Sequence, residues 1–106
     1  MTARIVFCTC PDGETASRLA HALVDERLAA CVNAIPGVVS TYRWNDAIHT
    51  DNEVLLLIKT TADRLAALQA RLLELHSYEI PEVLAIEPVG GSAPYLAWLD
   101  RETRPA

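Results

Sequence analysis

The longest run of strand-forming residues extends from Leu28 to Thr61, and it limits the folds available to this chain. β-Branched and aromatic residues occupy both halves of the run, and the polar pair Asn45-Asp46 separates them, a pattern typical of a β-hairpin. Asn and Asp tolerate positive φ, so this pair predicts a two-residue turn. Each arm of about 15 residues would span about 50 Å, whereas a helix of that many residues reaches only about 22 Å. Part of the hairpin is therefore predicted to project beyond any helices that cover the sheet.

The two arms of the hairpin differ in character. Pro36 cannot donate to a strand ladder, so the first arm is predicted to be an edge strand, or to contain a bulge with Gly37. In the second arm, residues Val54–Ile58 are continuously apolar, which predicts a central strand that is covered on both faces.

The segments on either side of the hairpin predict further strands and helices with recognisable ends. In chain order these are a buried strand over Arg4–Thr9, a helix capped by Asp12 and ending near Arg27, the hairpin, a helix that follows a Thr60–Asp63 capping box and stops by Ser77, a strand over Glu82–Glu87, and a short helix capped by Ser92. This order predicts an α+β, ferredoxin-like split β-α-β sandwich with a long projecting hairpin and a short C-terminal helix. The four-stranded antiparallel sheet would carry both main helices on one face. Its open edges favour oligomerisation through the hairpin.

Composition indicates one globular domain over residues 1–106, because 51% of the residues are hydrophobic and 22% are charged. The net charge of −5 argues against a nucleic-acid partner, since binding to phosphates needs a basic face. No apolar run approaches the about 18 residues of a membrane helix, and the first residues lack the pattern of a signal peptide. The three cysteines, an odd number, suggest no disulfide framework, so a reducing cytoplasm is expected.

Two segments carry most of the candidate chemistry. Cys8 and Cys10 lie two apart on a predicted strand and so face the same side, where their thiols could meet a soft metal or be small core residues. Cys31 lies among alanines and is predicted to be core. The segment His76–Glu82 holds an imidazole, a phenol and two carboxylates at a helix exit, which suits either a metal site or a cap with solvated acids.

Two further hypotheses concern an enzyme nucleophile and three aromatic residues. A Cys8/His76 nucleophile pair is disfavoured because the sequence offers no recognisable oxyanion hole or orienting third residue. Tyr42, Trp44 and Trp98 fit either a binding cleft or packing anchors at a subunit contact.

The chain resembles the CutA family, the divalent-cation tolerance proteins, over nearly its whole length from Ile5 to Leu99. The residues that carry the resemblance are Leu28–Asn33, Ile35–Val38, Ser40, Tyr42, Trp44, Glu53, Lys59–Thr61, His76–Glu79, Pro81, Glu82 and Tyr95–Leu99. The chain departs from the family pattern at three positions: Leu75 replaces a histidine found in some relatives, Ser77 the usual proline, and Asp46 a common turn glycine.

The resemblance implies a non-enzymatic cytoplasmic homotrimer, joined through the hairpins, that binds divalent metal weakly, chiefly copper, and acts in metal tolerance. It maps the copper ligands onto Cys8 and His76, and Cys10, Glu79 or a neighbouring subunit would complete the set. Tyr78, Glu53 and Lys59 are further candidates for the metal site or a cleft, and Tyr42, Trp44 and Trp98 are candidates for subunit contacts. The alternative that the resemblance implies is a PII-like sensor trimer with a small ligand in the clefts between subunits.

Overall fold

The computed structural model describes residues 1–105 and contains one antiparallel four-stranded sheet with three α-helices. The elements in chain order are β1 (Ala3–Cys10), α1 (Gly13–Asp25), β2 (Cys31–Trp44), β3 (Ala47–Thr61), a 3-10 turn (Ala62–Arg64), α2 (Leu65–Leu75), β4 (Leu84–Ile86) and α3 (Ala93–Glu102). The strand order is β2-β3-β1-β4, so the predicted split β-α-β sheet is confirmed. None of these helices, of which α1 is the longest with 13 residues, has the length and hydropathy needed to cross a membrane.

The projecting hairpin is confirmed, with arms of 14 and 15 residues. Asn45 and Asp46 form its turn with φ of 50° and 60°, the left-handed conformation that their side chains tolerate. Because β1 ends at Cys10 opposite Val54, the ladder that pairs residues 38–44 with residues 47–53 extends past the rest of the sheet. The molecule is accordingly elongated, measuring 44 × 27 × 22 Å.

The first arm shows both features that Pro36 predicts. Strand β2 lies at the edge of the sheet, and its register with β3 shifts between Ile35 and Val38. Gly37 takes a φ of +78° within this bulge, a conformation that costs glycine little.

The main core lies between the sheet and the pair α1 and α2. Leu19 and Leu23 of α1 and Leu68 and Leu72 of α2 are fully buried against Val6, Cys8, Leu56 and Ile58 of the two central strands. Both main helices therefore cover one face of the sheet.

Asp12 caps α1 as predicted, because its Oδ1 accepts the Thr15 amide at 2.8 Å.

Helix α3 covers one end of the opposite face. Ala3, which points away from Val6 along β1, is buried with Leu99 of α3 and with Ala30. The Thr103 and Thr61 hydroxyls, 3.4 Å apart, join the end of this helix to the end of β3. The rest of that face remains partly exposed, including Leu55 and Leu57, so the prediction that residues Val54–Ile58 are covered on both faces is wrong for the single chain.

Two other local predictions are also wrong. The Thr60–Asp63 capping box does not form, because the Thr60 hydroxyl donates instead to the Leu28 carbonyl at 2.7 Å. Thr61 precedes the 3-10 turn, and its hydroxyl donates to the Asp63 carboxylate. Strand β4 has only three residues, shorter than the predicted Glu82–Glu87, because only Leu84–Ile86 pairs with β1.

Candidate functional site

Two thiols and one imidazole converge at the end of β1. One ligand atom from each of Cys8, Cys10 and His76 lies within 4.8 Å of the other two. The alternation of a strand places both cysteines on the face that α2 covers, and His76 is the C-cap of α2. Cys8 and Cys10 have no exposed surface, and His76 is only 8% exposed. The three donors therefore meet within a single chain, away from bulk water.

Both ring nitrogens of His76 are already hydrogen-bonded. Nε2 lies 2.8 Å from the Thr9 carbonyl oxygen, and Nδ1 accepts the Tyr78 amide at 3.0 Å. Because a carbonyl oxygen only accepts, these partners assign the neutral tautomer with its proton on Nε2. Coordination of a metal through either nitrogen would break one of these two bonds.

The two thiols differ in acidity. Hydrogen bonding to Cys10, reinforced by burial, raises the pKa of Cys8 far above its ordinary value. The same contact lowers the pKa of Cys10. A negative charge on the pair would therefore reside on Cys10, with the Cys8 thiol donating to it.

The donor set fits a soft or borderline metal ion. Thiolates select copper(I) or zinc, and imidazole suits copper and zinc alike. Two sulfurs that bind one tetrahedral zinc lie about 3.8 Å apart, since each Zn–S bond is about 2.3 Å. Donor atoms that are already within 4.8 Å of one another need to close by about 1 Å at most.

A cavity of about 690 Å³ lies between the projecting hairpin and the segment that follows α2. Three aromatic rings line it, from Tyr42, Trp44 and Tyr78. Three carboxylates also line it, from Glu53, Glu79 and Glu82, and its other lining side chains are uncharged. Its volume lies within the range of about 300–1,000 Å³ that is usual for small-molecule sites.

Tyr78 connects this cavity to the cluster of Cys8, Cys10 and His76. Its hydroxyl donates to Oε2 of Glu53 at 2.7 Å, and its ring centroid lies 4.7 Å from that of His76. Burial, followed by the hydrogen bond to Glu53, raises the pKa of Tyr78 well above its ordinary value. The hydroxyl therefore keeps its proton and continues to donate to Glu53, which is itself only 9% exposed.

Comparison with known proteins identifies the family. Residues 4–102 match the family described as "CutA1 divalent ion tolerance protein". The chain belongs to the CutA1 family. It is 46% identical over 99 residues to the divalent-cation tolerance protein CutA of Thermus thermophilus, an alignment that covers 93% of this chain and 96% of that protein.

The family match extends to eukaryotic proteins and to solved structures. The chain is 43% identical over 100 residues to the chloroplastic CutA protein of Arabidopsis thaliana, covering 94% of this chain but only 55% of that longer relative. The CutA crystal structure from Xylella fastidiosa superposes with a TM-score of 0.96 at 44% identity, covering 98% of this chain and all of that one. The fold and the family are thus established for nearly the whole chain.

The other candidate residues of this CutA1 chain lie in different places. Glu79 lines the cavity together with Tyr78 and Glu53. Lys59 pairs with Ile5 and Cys31 in the middle of the sheet. It belongs neither to the cluster of Cys8, Cys10 and His76 nor to the lining of the cavity. Trp98 belongs to α3, where its ring lies 5.6 Å from that of Tyr95, beside a second and smaller cavity.

Two contacts of the site were not anticipated from the sequence. The Thr9 carbonyl, which pairs with His76, has no signature in a sequence because every residue carries this group. The hydrogen bond from the Tyr42 hydroxyl to Asp51 could have been found, because the turn at residues 45 and 46 sets Tyr42 opposite His49. Asp51 is then the diagonal neighbour two residues further along the partner strand.

Proposed function

We propose that this CutA1 protein binds a soft or borderline divalent metal, copper in the first instance, at Cys8, Cys10 and His76, and acts in divalent-cation tolerance. The observation that carries the proposal is the convergence of these three buried donors within 4.8 Å of one another. The family description and the name of the Thermus relative agree with this role. A metal held there would supply Lewis acidity and positive charge, while the chain's residues would bind it and shield it from bulk water.

We propose that this binding is weak. The chain offers three donors, so the ion would need a fourth from Glu79, from solvent or from a neighbouring subunit. Coordination would also cost a hydrogen bond of His76, either the one to Thr9 or the one from Tyr78. A loss of about 1 kcal/mol lowers affinity about fivefold.

Isothermal titration calorimetry with Cu²⁺ and Zn²⁺ tests the site directly. We expect His76→Ala and Cys8→Ser each to weaken copper binding about tenfold or more. Cys31→Ser is the matched control, since Cys31 is half-buried, faces the other side of the sheet and should leave the affinity unchanged. Equal affinities for the wild type, His76→Ala and Cys8→Ser would refute the proposed site.

We propose that the chain performs no catalysis. An activated cysteine needs a base within reach, and both nitrogens of His76 are committed to the backbone of Thr9 and Tyr78. The raised pKa of Cys8 also opposes thiolate formation at that residue. Both features therefore oppose a nucleophilic role for Cys8.

We propose that the chain assembles as a homotrimer through the hairpin and the sheet face opposite α1 and α2. Apolar side chains on that face are exposed in the single chain, with Ile35 at 41%, Ile86 at 46% and Leu84 at 61%. Tyr42 and Trp44 on the hairpin, and Trp98 on α3, are the proposed aromatic contacts. Light scattering should give three times the chain mass of 11.6 kDa, and the mass of a monomer at micromolar concentration would refute assembly.

We propose a cytoplasmic location. The three cysteines are free, which suits a reducing compartment. Fractionation of the source cells followed by immunoblotting tests this, and recovery of the protein outside the cytoplasm would contradict it.

A second candidate function is a PII-like sensor, and the cavity of about 690 Å³ favours it. A metal-binding protein should gain thermal stability with Cu²⁺ or Zn²⁺ and ignore nucleotides and metabolites, because only a ligand that binds the folded state stabilises it. The opposite pattern would favour the sensor.

A further inference from the structure

The cavity that Tyr78 borders has a consistent chemical character. Its charged lining groups are all carboxylates, those of Glu53, Glu79 and Glu82, and among the described residues no Lys, Arg or His side chain lines it. An anionic ligand such as a nucleotide would meet three like charges and no cationic partner. The charge of the lining therefore favours a positively charged ligand over an anion.

Glu53 is the most buried of these three carboxylates. It is buried to about nine-tenths, with an exposed fraction of 9%, and its Oε2 accepts the Tyr78 hydroxyl at 2.7 Å. A carboxylate has acceptor sites on both oxygens, so one hydrogen bond leaves capacity for a cationic donor. A charged hydrogen bond in such a sheltered position is stronger than one at the surface.

The aromatic rings distinguish an organic cation from a metal ion. Tyr42, Trp44 and Tyr78 present three π-systems to the same cavity, and a ring face attracts an ammonium or guanidinium group that has shed its water. A metal ion would instead need oxygen ligands that converge on one point, and among the described residues these three carboxylates do not form such a convergent group. Ile80 and Pro81 add apolar surface against which a carbon skeleton can pack.

We propose that this cavity binds a small organic cation, an ammonium or guanidinium group on an apolar carbon skeleton. The cation would lie between the carboxylates of Glu53, Glu79 and Glu82 and the rings of Tyr42, Trp44 and Tyr78, at the edge of the subunit contacts proposed for Tyr42 and Trp44. This inference rests on the second candidate function, the small-ligand sensor, and names the class of its ligand. It does not use Cys8, Cys10 or His76, the three metal donors that converge in the chain.

Calorimetry on the assembled protein tests the proposal with matched probes. Choline is compared with 3,3-dimethylbutan-1-ol, which has the same shape without the charge, and putrescine is compared with butane-1,4-diol. We expect saturable binding of the cations, at least about tenfold weaker binding of the neutral isosteres, and cation affinity that falls as salt is added. Equal affinity for a cation and its neutral isostere would overturn the proposal.

Variants locate the site. Glu53→Gln keeps an acceptor for the Tyr78 hydroxyl but removes the charge, so it should weaken cation binding about tenfold while the protein stays folded. Glu14→Gln, an exposed position in the first turn of α1, makes the same change in net charge outside the cavity and should have no effect. Equal affinities for the two variants would refute the assignment to this cavity.

Two further measurements separate the possible failures. Cys8→Ser should leave cation binding unchanged, and a parallel loss of copper and cation binding would contradict two independent sites. ATP and citrate serve as anionic probes. Binding of either one in place of the cations would overturn the cation assignment but support a sensor, whereas absence of binding for every probe would refute both.

Discussion

Replacing Tyr78 with Phe removes one hydroxyl and leaves the ring that packs on His76. The hydroxyl donates to Glu53 at 2.7 Å, and Glu53 is only 9% exposed, so the variant leaves a buried carboxylate without this partner. A hydrogen bond to a charged group contributes about 1.5–3 kcal/mol to stability. Because Glu53 borders a cavity that can admit water, we expect the lower end of that range, about 1.5 kcal/mol.

Urea and thermal unfolding of the wild type and Tyr78→Phe measure this loss. One kcal/mol lowers the melting temperature of a domain of this size by about 4 °C, so a decrease of about 6 °C is expected at equal protein concentration. Tyr42→Phe is the matched control, since its hydroxyl bonds to Asp51 at an exposed position and its loss should cost less than about 0.5 kcal/mol. Equal costs for the two variants, or a negligible cost for Tyr78→Phe, would show that burial of Glu53 does not set the strength of this bond.

Two further predictions concern Asp63 in the 3-10 turn and Gly37 in the bulge of β2. Hydrogen bonds from Arg104 and then Thr61 hold the pKa of Asp63 well below its ordinary value, so Asp63 adds stability above about pH 4 that disappears as the pH falls further. Asp63→Asn should therefore reduce the loss of unfolding free energy on acidification. Parallel plots of unfolding free energy against pH for the variant and the wild type would contradict this. Gly37→Ala should lower the free energy of unfolding in urea by about 1 kcal/mol, because Gly37 has a φ of +78°. Gly13→Ala is the control and should be nearly neutral, since Gly13 has open space around it and no positive φ. Equal costs for the two variants would be inconsistent with backbone strain at Gly37.

The features that followed from the sequence are those with a local physical cause. Asn45 and Asp46 tolerate positive φ, so the hairpin turn could be placed to the residue. Pro36 lacks an amide hydrogen, so the edge position and the bulge beside Gly37 could be anticipated. Asp12 caps α1 because its carboxylate reaches an amide three residues along the chain.

Local reasoning failed where distant parts of the chain compete for the same group. The Thr60 hydroxyl was predicted to cap a helix, but it bonds to the Leu28 carbonyl that the fold brings beside it. Strand β4 is shorter than its alternating pattern suggests, because a strand exists only where a partner accepts its hydrogen bonds, and β1 pairs with Leu84–Ile86 alone.

The same difference between local and long-range causes applies to the cavity and to the cluster of Cys8, Cys10 and His76. The sequence alone determines that Cys8 and Cys10 share a face, because side chains alternate along a strand whatever surrounds it. It does not determine that His76 meets them, since that depends on how α2 crosses the sheet and where it ends. The pairing of Tyr78 with Glu53 likewise joins positions on a loop and a strand that are far apart in the chain. Only the tertiary structure determines these contacts. Burial of the core fixes the helices on the sheet and so brings His76, at the end of α2, beside the two cysteines.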